Sequence, residues 1–132
     1  DEKFTRNRIR AQLLPALERA FPQFRDTFSR SASHAAEAQE ILNEVAVADL
    51  SSLMASGGLN IKALQQLSSA RQSLVLRHWL KVHHQTTPST VQMSELLSQI
   101  SACMTRGHQL RLKVGRGYAL RDGQVLTWSD QG

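Results

Sequence analysis

The stretch 108–129, HQLRLKVGRGYALRDGQVLTWS, is where the hydrophobic period of this chain changes from that of a helix to two. Leu110, Leu112 and Val114 alternate, Tyr118 and Leu120 follow, and Val125 to Trp128 complete a third short segment. Gly115-Arg116-Gly117 and Asp122-Gly123 supply turns between them, and an Asp-Gly pair between alternating segments is a specific hairpin signal. The stretch therefore predicts a small antiparallel meander, and the fold class depends on what precedes it.

Everything upstream reads as helix. Ser89 or Thr90 caps a helix over 91–104, closed by Gly107, and the polar segment Gln85-Thr86-Thr87-Pro88 separates it from another. That preceding helix starts at Ser68 or Ser69 and runs to about His84, with Leu74, Val75, Trp79 and Val82 on its apolar arc and Arg77, Lys81 and His84 as a basic stripe on the far side. A brief helical turn spans 63–67, and Leu59-Asn60-Ile61 is too short for more than an edge strand or a connector. A long helix over 23–55 places Phe24, Phe28, Ala35, Leu42, Ala46 and Leu53 on one face and Arg30, Glu37, Glu40 and Glu44 on the other, before Gly57-Gly58 stops it. An amphipathic helix over 7–20 carries Ile9, Leu13, Leu14 and Leu17, with Pro15 predicting either a kink or a second turn beginning at Leu14. The fold expected is mainly α: a helical bundle with a small C-terminal antiparallel β-hairpin or three-stranded meander. A single domain accounts for 1–132, divided into a linking helix over 1–20, the bundle over 22–104 and the meander over 108–129.

With 132 residues, 41% hydrophobic and 20% charged, the chain has the size and composition of one folded domain. The formal net charge of +5 comes from 16 Lys and Arg against 11 Asp and Glu, and the preponderance of Arg suits phosphate, which its planar fork of donors matches. One cysteine, Cys103, excludes an internal disulfide and a cysteine-rich metal cluster, and fits a reducing cytoplasm. No apolar run approaches the length of a membrane span, so no membrane partner is expected. The opening Asp1-Glu2-Lys3 without an initiating Met reads as an internal piece of a longer protein.

No catalytic constellation emerges. Ser56-Gly57-Gly58-Leu59-Asn60-Ile61 begins like the SGGxDS phosphate loop of one class of ATP pyrophosphatases, but Asn60 and Ile61 replace its Asp and second Ser, and it follows a helix where such a loop follows a strand. His78, His83 and His84 lack a neighbouring carboxylate or cysteine, so no metal site is expected. Cys103 has no nearby charge to activate it and reads as a small buried hydrophobe. The arginines remain. Arg6-Asn7-Arg8-Ile9-Arg10 sets Arg6 and Arg10 one helical turn apart with Asn7 between them, an arrangement able to hold phosphate and a base edge, against the plainer reading of a solvated helix start. A second set, Arg106, Arg111, Lys113, Arg116 and Arg121, decorates the meander, with Arg111 and Lys113 on one strand face.

The segment 1–17, DEKFTRNRIRAQLLPAL, resembles the one that follows the catalytic domain in tRNA(Ile)-lysidine synthetases, with an aromatic residue before an RNxxR phrase and a leucine-proline-leucine helix. FPQFRDTFSRSASHAAEAQEILNEVAVADL resembles that family's long helix, SSARQSLVLRHWL its helix ending in RxWL, and LRLKVGRGYALRDGQVLTW its terminal hairpin. The resemblance implies the middle, substrate-recognition domain of an ATP-dependent ligase that attaches lysine to the wobble cytidine of a CAU-anticodon isoleucine tRNA to form lysidine. It assigns no cofactor to this chain, leaving ATP, magnesium and lysine to a catalytic domain absent here, with isoleucine tRNA as partner and a possible homodimer of the full-length protein. By position Arg6, Asn7 and Arg10 match the RNxxR phrase and are expected against the target nucleotide, while Arg71, Arg77 and Lys81 are expected on the tRNA backbone. A helical protein-interaction or scaffold module with incidental positive charge is the competing expectation.

Overall fold

The computed structural model describes residues 24–105 and 107–131, and side chains from residue 30 onward. The helix expected over 7–20, the side chains of Phe24 and Phe28, and Arg106 lie outside the described residues. The chain divides into two compact units, Asp1–Ile41 and Leu42–Gly132.

Of the first unit, residues 24–41 belong to helix α1 (Phe24–Leu53), and every side chain from Arg30 to Ile41 is exposed, Ala35 included. Among the described side chains, the expected core face is buried only toward the helix's end, in the second unit, where Ala46, Leu50 and Leu53 are buried and Leu42 is not. Helical periodicity marks which residues share a face; burial requires a neighbour to cover that face.

The second unit is a mixed α and β structure: the expected helices and C-terminal meander are present, but the β part is larger than the hairpin or three strands expected. Five antiparallel strands form one sheet in the order β1-β2-β5-β4-β3. They are β1 (Met54–Ala55), β2 (Gly58–Asn60), β3 (Arg111–Val114), β4 (Gly117–Asp122) and β5 (Val125–Ser129). The meander is present as read, with Lys113 opposite Tyr118 and Leu120 opposite Thr127. The additional strands come from the region expected to end a helix. Ser56 and Gly57 both take positive φ, 44° and 83°, the pattern of a tight hairpin turn between β1 and β2. A Cβ on Gly58 would run into the Leu126 carbonyl, so glycine here permits strand contact rather than helix termination. β2 is interior, pairing Leu59 with Leu126 and Asn60 with Val125.

Three further helices share a core with this sheet. Asn60 caps α2 (Ile61–Gln65), its side chain accepting from the Ala63 amide at 2.9 Å. Ser68 caps α3 (Ser69–His84), which ends on Gln85 in the left-handed conformation. Ser89 and Gln92 form a reciprocal capping box on α4 (Thr90–Ala102), two residues shorter than the expected 104 end. Leu59, Leu126, Ala119 and Val114 line the buried sheet face, packed in one cluster with Leu64, Val75, Leu76, Trp79, Leu80, Leu96 and Ile100. Val82, expected on the apolar arc of α3, is 52% exposed, while Leu76 and Leu80 are fully buried in its place. The wheel was centred one residue too far round, because the sheet and α4, rather than the helix's own periodicity, select the covered arc. Among the described residues, no helix is long and apolar enough to cross a membrane.

Candidate nucleic-acid interface

Arg6, Asn7 and Arg10 lie outside the described residues, so the structure locates only the expected cations of α3. Arg71, in its first turn, grips Asp49 of α1 with both arms of its fork: Nε donates to Oδ2 at 3.0 Å and Nη2 to Oδ1 at 2.5 Å. The Asp49 side chain is 9% exposed and that of Arg71 51%. The hydrogen bond, and then the carboxylate charge, raise the Arg71 pKa above its ordinary value. Arg71 therefore works locally as a tie between α1 and α3, with half its surface still facing solvent. Its partner lies 22 residues away, and no local pattern signals the pairing.

Arg77 is half-buried, with Nη1 donating to the Pro88 carbonyl at 3.5 Å, and Lys81 is exposed one turn later. His84 leaves the basic stripe in which the helical wheel placed it. Its ring meets Trp79 edge-on at 4.9 Å between centroids and lies 4.9 Å from Trp128. Burial, and then the nearby His83, lower its pKa, which favours the neutral ring. Beside Lys81 in the last turn, further positive charge at this helix end comes from the sheet. Arg116, in the β3–β4 turn, donates through Nη2 to the His84 carbonyl at 3.0 Å, with its guanidinium 6.0 Å from the Trp128 ring. The turn is held there by Gly115 N–H donating to Gln92 Oε1 and Arg116 N–H donating to Thr86 Oγ1, each at 3.0 Å. Arg77, Lys81 and Arg116 thus gather around the junction of α3 with the loop that follows it.

The outer sheet face carries a second cationic group. Arg111 Cζ and Lys113 Nζ stand 4.9 Å and 5.1 Å from the Tyr118 ring centre. The shared strand face of Arg111 and Lys113 was legible in the period of two. Tyr118 was not recognised as part of that site, and strand pairing is what brings it opposite Lys113.

The remaining sequence candidates are engaged in structure. Ser56-Gly57-Gly58 forms the hairpin turn already described and leads into strand β2, and the Asn60 side chain caps the N-terminus of the short helix that follows. Cys103 is buried, its thiol donating to the Gln99 carbonyl at 3.2 Å, and burial pushes its pKa up, away from the reactive thiolate. Arg121 spans the end of α4, donating through Nη1 to the carbonyls of Thr105 and His108 at 2.6 Å and 2.8 Å. Among the described residues, no three His, Cys, Asp or Glu side chains converge in a way that could hold a metal ion.

Fold and site define a small α and β domain that presents arginine and lysine from a helix face and an adjoining sheet. Residues 59–125, from β2 to the start of β5, match the family model described as TilS substrate binding domain. The chain belongs to that family. It is 55% identical over 98% of its length to a tRNA(Ile)-lysidine synthase from Polaromonas naphthalenivorans (strain CJ2), covering 39% of that protein. It is 31% identical over 97% of its length to one from Enterobacter sp. (strain 638), covering 30%. A third, from Bordetella pertussis (strain Tohama I / ATCC BAA-589 / NCTC 13251), is 35% identical over 98% of the chain, which covers 42% of it. The chain therefore spans well under half the length of these curated relatives.

Proposed function

We propose that the chain is the tRNA-recognition domain of a cytoplasmic, ATP-dependent ligase that attaches lysine to the wobble cytidine of a CAU-anticodon isoleucine tRNA to form lysidine. The observation that carries this reading is 55% identity over 98% of the chain to a protein named tRNA(Ile)-lysidine synthase. ATP, magnesium and lysine are assigned, on the resemblance to tRNA(Ile)-lysidine synthetases, to a catalytic domain of the parent protein. Possible dimerisation also belongs to that parent.

The contribution of this chain is grip. Lys81 and Arg77 neutralise backbone phosphates from the outer side of α3, and the exposed half of Arg71 adds to them. Arg6, Asn7 and Arg10 meet the target nucleotide at the border with the catalytic domain, joined through the segment 1–20. Phosphate contacts of this kind set the position and register of the tRNA while another domain performs the chemistry.

Titration of the 132-residue chain with isoleucine tRNA at two salt concentrations tests the reading. Binding should weaken steeply with salt, and the double substitution Arg77→Gln with Lys81→Gln should lower affinity and reduce the salt slope by about 1 to 2. Absence of binding at low salt overturns the proposal in favour of a protein-interaction module.

A further inference from the structure

The outer face of the sheet is assigned by none of the residues placed on the tRNA above. Strand pairing brings Arg111, Lys113, Tyr118, Leu120 and Thr127 to this face, opposite the one that packs on the helices. Arg111 and Lys113 are exposed and two residues apart on one strand, so their backbone positions are roughly 6.6 Å apart. Two like charges so close repel each other. Both cations lie within 5.1 Å of the centre of the Tyr118 ring, whose negative π-face offsets part of that repulsion. Asp122, the carboxylate that β4 places on this face, stands diagonally across from Arg111, two residues beyond its partner Leu120 and roughly 7–8 Å away, so the counter-charge lies nearer Arg111 than Lys113.

β3 is an edge strand, and edge strands commonly carry lysine or arginine to discourage pairing with another chain. That device needs only isolated charge. It does not call for two cations gathered over one aromatic ring, which restrains long side chains and concentrates positive potential. The adjoining turn continues the same charge: Arg116 reaches the carbonyl of His84, one turn beyond Lys81. Cations therefore continue along the chain from the sheet face, across the turn, to the helix.

We propose that Arg111 and Lys113, positioned by Tyr118, form a second RNA-backbone contact, which binds phosphates of the tRNA strand lying over the outer face of the sheet. This rests on the tRNA-recognition reading and extends it from α3 to the sheet. The complementary chemistry is a row of singly charged phosphodiesters, which two restrained cations at strand spacing meet without needing a base sequence. Tyr118 is a positioning residue here, since its ring faces are engaged by the cations.

The test compares Arg111→Gln with Lys113→Gln, Tyr118→Phe and Tyr118→Ala in the same tRNA titration, each variant first checked for a cooperative thermal transition. The double variant should bind about tenfold more weakly at low salt and lower the salt slope by about 1 to 2. Tyr118→Phe keeps the ring and should bind within about twofold of the parent chain, whereas Tyr118→Ala should weaken binding several-fold with both charges retained. If the unsubstituted chain binds tRNA with the expected salt dependence but the double variant matches it in affinity and slope, this proposal is overturned and the tRNA-recognition reading stands. The face would then belong to a protein partner. If the unsubstituted chain does not bind at low salt, the underlying reading fails first. Should Tyr118→Ala not fold, the double variant alone decides, because both its sites are exposed.

Discussion

His84 shows how much a single side chain depends on what packs against it. Its ring lies between Trp79 and Trp128, and burial holds its pKa below the ordinary histidine value. The unfolded chain therefore binds a proton at higher pH than the folded one does. Stability from this site is complete above the unfolded pKa of about 6.5 and falls as pH drops below it, because folding then requires giving up a proton. Thermal melts should show a Tm that declines through this range, and His84→Gln should flatten the decline. Gly115 is a second such position. Its φ is +62°, and a Cβ there would collide with the Thr86 hydroxyl that holds the turn. Gly115→Ala should destabilise by more than about 1 kcal/mol in urea titrations, and by more than Gly123→Ala, where φ is also positive but no neighbour intrudes. A helical wheel sees neither effect. It groups His84 with Arg77 and Lys81 from spacing within α3, whereas the surroundings of His84 include a tryptophan from β5.

Among the elements, those with strong local signals were legible and those defined by their partners were not. The three meander strands follow from alternation and an Asp-Gly turn, and the caps of α3 and α4 from serines ahead of apolar periods. β1 and β2 have two and three residues, too few to display a period, and exist because β5 offers β2 a hydrogen-bonding edge. Burial follows the same division. Leu126 is fully buried between the strands and the helices, and Leu126→Ala should cost about 2–5 kcal/mol by denaturant unfolding. Val82→Ala should stay within about 0.5 kcal/mol, since this side chain is 52% exposed despite its place on the apolar wheel. Equal losses at the two positions would contradict this placement of the core.

At the level of the whole molecule, a net charge of +5 is less informative than where the charges lie. Glu37, Glu40 and Glu44 are all exposed on α1, while the cations of α3 and the sheet cluster elsewhere in sequence. Replacing the three glutamates with glutamine should leave tRNA affinity unchanged or raise it, because they neutralise no phosphate. A loss in the binding titration would place the RNA on α1 and count against both proposed contacts. The amino-acid sequence alone determined the local quantities: the helical stretches, the meander, the surplus of arginine and the resemblance to the substrate-binding family, each written in neighbouring residues or in end-to-end likeness. Tertiary structure alone decided that five strands share one sheet, that Asp49 engages Arg71, that His84 packs against Trp79 and Trp128, and that Tyr118 gathers Arg111 and Lys113. Each of these joins residues far apart in sequence or on different strands, and pairing across such a gap is set by which surfaces meet when the core closes.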